Sequence, residues 1–135
     1  RVAKIRQWAQ KRKPVRVVMV FDHRPVYVAG PKGFVSELLV LAGANNVVRE
    51  GGAYPAVPLE RLLTLDPDLI IDAVAPSDGK KGPSSLLKVA GWSELRAVKE
   101  GRLRRLRSST PLRPGPRLAE GLMELVQLIH GEGPP

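Results

Sequence analysis

Residues able to do chemistry are few and scattered in this chain. The two histidines, His23 and His130, stand far apart, and there is no cysteine. Without thiols there is no disulfide framework and no thiolate metal site. His23 follows Asp22, an acid–imidazole pair that could supply part of a metal's coordination shell. Two neighbouring ligands cannot close a tetrahedral site, and Asp22-His23-Arg24-Pro25 reads as a polar turn at a strand end. HExxH, CxxC and GxSxG patterns are absent. Gly30-Pro31-Lys32-Gly33 has neither the spacing nor the Lys-Ser/Thr ending of a phosphate loop. A serine nucleophile needs a base beside it, and no serine stands in an elbow that His23 could serve. The pattern predicts no enzyme, no resident metal and no cofactor.

The elements that would position a binding site are clearer. Val2, Ile5 and Ala9 form a short apolar stripe within Arg1 to Gln10, the end of a helix that Pro14 stops. Val15 to Phe21 is nearly continuous in apolar residues, as in a parallel strand covered on both faces. Val26 to Ala29 is a second short extended piece. Gly30 to Gly33 turns into a helix over 34–42, with Phe34, Leu38 and Leu41 on one face flanked by Val35 and Leu39, capped by Gly43. A loop at 51–55 precedes Pro58, which suits a first helical turn, and a helix over 59–65. Asp66-Pro67-Asp68 breaks that helix and Leu69 to Ile71 is a strand. A loop follows over 77–85, then short helices over 86–89 and 92–98, an arginine-rich strand over 102–107 and a proline-rich turn over 111–116. The last helix, 118–129, puts Leu118, Leu122, Leu125 and Ile129 on one face.

Helices alternating with strands predict an α/β fold: a Rossmann-like three-layer lobe with a mostly parallel sheet. In such sheets ligands bind beyond the carboxyl ends of the strands. Attention therefore falls on 22–27, 74–77 and 108–113. With 135 residues the chain is one domain long, and 43% hydrophobic residues suffice for a core. The formal net charge is +9, clustered at Lys11-Arg12-Lys13 and Arg102 to Arg107. That balance favours an anionic partner. Aromatic residues make up only 4%, too few for the stacking platform of a single-strand binder, so nucleic acid is not the expected partner. No apolar run reaches the ~18 residues of a membrane span.

Four stretches taken in order resemble one family. They are Tyr27-Val28-Ala29-Gly30 with Phe34 to Gly43 and Asn45-Asn46-Val47; Tyr54 to Glu60 leading into Leu65-Asp66-Pro67-Asp68-Leu69-Ile70-Ile71; Gly91-Trp92 to Val98 with Gly101-Arg102; and Arg113-Pro114-Gly115-Pro116-Arg117-Leu118. Together they look like the C-terminal lobe of the ABC-importer substrate-binding proteins that capture ferric siderophores or cobalamin. That family has two α/β lobes joined by one long helix, with the ligand between them. The resemblance implies that residues 1–13 end the interlobe helix, that 14–135 are the C-terminal ligand-binding lobe, and that the N-terminal lobe is absent. The opening Arg1-Val2-Ala3-Lys4, without an initiator methionine, reads the same way.

Site roles follow from the resemblance residue by residue. Tyr27 matches an aromatic presented to the ligand, and Tyr54 the aromatic that precedes a proline at the cleft rim. Arg113 matches an arginine lying over the ligand, where its fork of donors suits carboxylate, amide or phosphate oxygens. Ser109 and Arg24 complete the ligand-facing set. Some relatives carry an acid where Ser109 stands, a departure that weakens the case for cobalamin. Arg117 is expected to pair with a carbonyl or carboxylate, and Asp66-Pro67-Asp68 to be structural. Glu60 matches a glutamate that docks into an arginine pocket of the permease subunits.

The expected function is capture and delivery, with a small closure limited by the stiff linking helix. Its setting would be the periplasm or the outer face of the cytoplasmic membrane, with any signal or lipid anchor upstream. Two alternatives stand beside it: a zinc or manganese receptor of the same fold, and a basic nucleic-acid-binding domain. Self-association is expected through the face that the other lobe would cover.

Overall fold

The computed structural model describes residues 1–77 and 82–135. The part of the expected loop that falls on 78–81 lies outside them. Helix α1 (Val2–Gln10) leads into strand β1 (Val15–His23), which turns back into β2 (Val26–Val28). Then follow α2 (Phe34–Leu41), β3 (Ala44–Asn46), α3 (Leu59–Leu65) and β4 (Leu69–Asp72). Two 3₁₀ turns (Ser85–Lys88, Trp92–Glu94), α4 (Arg96–Lys99), β5 (Leu103–Arg105), a third 3₁₀ turn (Thr110–Leu112) and α5 (Leu118–His130) complete the chain.

β1 is the organising strand. It pairs in parallel with β4 on one side, and β4 in turn pairs in parallel with β5. On its other side β1 has two partners, β3 in parallel along 15–17 and β2 antiparallel along 20–23. Side chains alternate across a strand, and that alternation separates two cores. Val17, Met19, Leu69 and Ile71 face α1, α2 and α5, packing with Ile5, Leu38, Leu122 and Leu125. Val18, Val20 and Ile70 face the opposite way, packing with Leu62, Leu86, Trp92 and Leu95. The result is the expected three-layer α/β lobe with a mostly parallel sheet.

Several local expectations needed correction. β1 runs past Phe21 to His23, so Asp22 to Pro25 is the corner of a β-hairpin. The Asp22 carboxylate caps that corner, accepting from the backbone N–H of His23 at 2.7 Å and of Arg24 at 3.4 Å. β3 has no apolar signal of its own and owes its strand conformation to pairing with β1. The stretches at 86–89 and 92–98 are mostly 3₁₀ turns, with α-helix only in α4. In α2 the buried face is Val35, Leu38 and Leu39, with Phe34 and Leu41 only partly covered. Pro58 is the residue before α3 rather than within its first turn.

Candidate functional site

The carboxyl ends of β1, β4 and β5 open onto one side of the sheet, and the expected site residues gather there in two groups. Tyr27 and Tyr54 belong to the first, and both are exposed. The segment 52–57 is strapped along 26–32: Val57 N–H donates to the Val26 carbonyl at 2.8 Å, Val28 to Pro55 at 3.1 Å and Gly30 to Ala53 at 2.8 Å. Tyr27 itself bridges to Ala56. The Tyr54 ring stands edge-on to Phe21, with centroids 5.3 Å apart at 81°. An edge-to-face pair of this kind adds about 1 kcal/mol to area burial. Tyr54 is thereby oriented although it stands on a loop. Arg24, at the exposed corner of the hairpin, lies at the same end of β1.

The second group is the loop after β5. Ser109, Thr110, Arg113 and Arg117 line one pocket of about 230 Å³, walled by Pro114, Gly115 and Pro116. This loop is pinned by Glu124 of α5. One carboxylate oxygen accepts from the backbone N–H of Arg107 at 3.1 Å and of Ser108 at 3.2 Å; the other accepts from the Ser108 hydroxyl at 2.6 Å. The Ser108 Oγ in turn accepts from the Thr110 N–H at 3.2 Å. Gly121 lets α5 approach: a Cβ there would lie 2.9 Å from the Pro111 Cα. Arg117 pairs with Glu120 at 2.8 Å, as a structural role requires. Helix α2 packs against the 3₁₀ turn at Thr110–Leu112, and the loop carrying Tyr54 reaches the start of α2 through Ala53 beside Gly33. Both groups are thus tied to one helix.

Three residues support this surface in roles that the sequence did not assign to them. Asn46 donates from its side-chain amide to the carbonyls of Ala29 and Gly30 at 2.9 and 3.2 Å, and accepts from the Val48 N–H. It fixes the loop that follows β2. Asp72, buried at the end of β4, accepts from the Val74 N–H at 2.9 Å and from the Ser84 hydroxyl at 2.6 Å. An acid closing the apolar run Leu69-Ile70-Ile71 could have marked it. Glu124 carries no such signal, because its partners lie 16 and 17 residues away.

Glu60 is exposed in the first turn of α3, on the sheet face opposite α5. It has no ion pair among the described residues. The Asp66-Pro67-Asp68 break is built as structure. Asp66 adopts a left-handed conformation (φ 48°) and ends α3. Arg16 donates to the carbonyls of Leu65 and Asp66 at 2.6 and 2.7 Å, where a cation complements the helix C-terminus. Arg96 binds Asp66 at 3.1 Å and Asp68 at 2.5 Å. That hydrogen bond holds the Asp68 carboxyl below its usual value, and the same two carboxylates raise the Arg96 guanidinium further. Among the described residues no three His, Cys, Asp or Glu side chains converge to hold a metal ion.

The family model for periplasmic binding proteins matches residues 1–110. The chain belongs to the periplasmic binding protein family. Over 105 residues it is 32% identical to an uncharacterized ABC transporter substrate-binding lipoprotein of Bacillus subtilis (strain 168), a match covering 78% of this chain and 32% of that protein. Its fold matches a possible iron-binding (periplasmic solute-binding) protein of Staphylococcus epidermidis at 28% identity and a TM-score of 0.81, across 96% of this chain and 50% of that one. The vitamin B12 binding protein BtuF of Vibrio cholerae matches at 19% identity and TM-score 0.76, across 96% and 49%. The chain therefore spans about a third to a half of the length of these relatives. No helix among the described residues is long and apolar enough to cross a membrane.

Proposed function

We propose that this chain is the C-terminal lobe of the substrate-binding component of an ABC importer. It presents its strand-end surface to a ferric siderophore or a cobalamin-type ligand held in a cleft with a second lobe. The observation that carries this reading is the Ser109–Arg113 pocket, held at the strand ends by Glu124. The exposed Arg113 guanidinium and the half-buried hydroxyls of Ser109 and Thr110 suit a ligand rich in oxygen acceptors. Tyr54 and Tyr27 offer flat apolar contact on the same side, with few rotamers to freeze on binding, and Arg24 adds a further cation. Likeness to a possible iron-binding protein and to a vitamin B12 binding protein supports this ligand class.

Glu60 is the permease-docking residue in this reading. It is exposed on the far side of the sheet from α5 and has no ion pair among the described residues, and a rim charge of this kind sets orientation more than affinity. The working location is the periplasm or the outer face of the cytoplasmic membrane, in keeping with the family and with a lipoprotein relative.

The test is calorimetric titration of the two-lobed protein with ferric siderophores, cobalamin and haem, alongside Arg113→Ala. Saturable binding of one ligand, weakened about tenfold or more by the substitution, supports the reading. Absence of binding to all three refutes it. Calorimetry is preferable to intrinsic fluorescence, because Trp92 is buried in the core and Trp8 packs on α1 against His130, away from the strand ends.

A further inference from the structure

We infer that the opposite end of the sheet holds a separate binding site for a phosphate-type oxyanion. Because β1, β4 and β5 run parallel and adjacent, the residues just ahead of them meet at one edge. Lys13 and Pro14 precede β1, Asp68 precedes β4 and Arg102 precedes β5. Together with Val15 and Arg96 these residues line a cavity of about 220 Å³. At about 30 Å³ per water, that accommodates a tetrahedral oxyanion with part of its hydration shell.

The charges in this cavity are not equivalent. Arg96 is committed to Asp66, Asp68 and Glu100, and the Asp68 carboxylate is correspondingly neutralised by it. Lys13 and Arg102 have no ion pair among the described residues. The Arg102 Nε is buried yet lacks a hydrogen-bond partner among the described residues. A buried donor left unpaired costs free energy that a partner would recover. The Arg102 charge also bears on the neighbouring Arg104, which burial and Arg102 together hold below its ordinary value. An anion between Lys13 and Arg102 would satisfy the orphan donor and relieve that repulsion. Arginine's fork and a mobile ammonium are the usual donors to phosphate. Exposed Lys11 adjoins the cavity in sequence, whereas Arg12 is engaged with Glu132 and lies over the Trp8 ring.

The ligand is a phosphate oxyanion, from either free phosphate or the headgroup of an anionic phospholipid. The site lies at the strand end remote from Ser109 and Arg113, and does not depend on the transport reading. The chain is titrated with inorganic phosphate and, separately, floated with phosphatidylglycerol or phosphatidylcholine vesicles, each at low and high salt. Arg102→Gln and the exposed Lys13→Gln are compared with Arg107→Gln, which alters a guanidinium at the other end of β5. Phosphate affinity falling about tenfold in the first two variants but not the third supports a free-anion site. Retention on phosphatidylglycerol but not phosphatidylcholine vesicles, lost in the same two variants and at high salt, assigns the headgroup. If neither phosphate nor vesicle binding responds to Arg102→Gln or Lys13→Gln, the site does not exist. Should Arg102→Gln fail to fold, Lys13→Gln alone decides.

Discussion

Glu124 offers the sharpest test of how this lobe builds its binding surface. Its carboxylate accepts three hydrogen bonds from the loop after β5, two from backbone N–H groups and one from the Ser108 hydroxyl. Glu124→Ala removes all three acceptors. Bonds to a charged group contribute roughly 1.5–3 kcal/mol each when isolated. These three share one carboxylate, and the freed donors can reach water because the site is only part-buried. The expected loss is therefore about 2–3 kcal/mol in total, within the range of a broken polar network. For a chain of this size that lowers Tm by roughly 10 °C. Glu124→Gln separates shape from charge. Its carbonyl still accepts from the two N–H groups, and its amide can donate to the Ser108 oxygen, so about 1 kcal/mol is lost. Urea unfolding followed by far-UV circular dichroism measures both values. The Ala variant should also weaken ligand binding, because Ser109 and Arg113 ride on the released loop. An Ala variant within about 0.5 kcal/mol of the parent, with unchanged ligand affinity, would refute the claim that Glu124 holds the pocket.

Other outcomes follow from the same geometry. Gly30→Ala would place a Cβ 2.1 Å from the Gly52 carbonyl oxygen; it should cost about 1–3 kcal/mol by overpacking and loosen the Tyr54 strap, measured by thermal unfolding. Phe21→Ala removes the edge-on support of Tyr54 and should reduce ligand affinity more than Phe21→Leu does, read by calorimetry. Asp68 has a folded pKa below the ordinary carboxylate value of 3.8, first because of its hydrogen bond to Arg96. Its contribution to stability is thus present above pH 3.8 and disappears as pH falls through the lower folded value. Asp68→Asn should flatten that acid limb in a plot of unfolding free energy against pH. Glu60→Ala in the two-lobed protein should leave ligand affinity unchanged while lowering transport into proteoliposomes carrying the permease; an unaltered rate would dismiss Glu60 as the docking residue.

The sequence determined the fold class because its signals were local. The apolar run Val15 to Phe21, the stripe on 118–129 and the break at Asp66-Pro67-Asp68 each state an element within a few residues, and all three recur in the structure. The sequence also showed where to look, since parallel strands leave their carboxyl ends open. What it did not contain is whatever depends on two distant segments meeting. β3 is Ala-Asn-Asn, without strand propensity, and exists because β1 offers it an edge. Val35 and Leu39 are buried in α2, ahead of the expected Phe34 and Leu41, because the rotation of a helix about its axis is set by what it packs on. Arg16, Asp72, Arg96 and Glu124 read as ordinary polar residues along the chain. Only folding brings each within hydrogen-bonding distance of partners 12 to 50 residues away. A hydrogen bond is decided at about 3 Å, and a one-dimensional pattern has no coordinate for that distance.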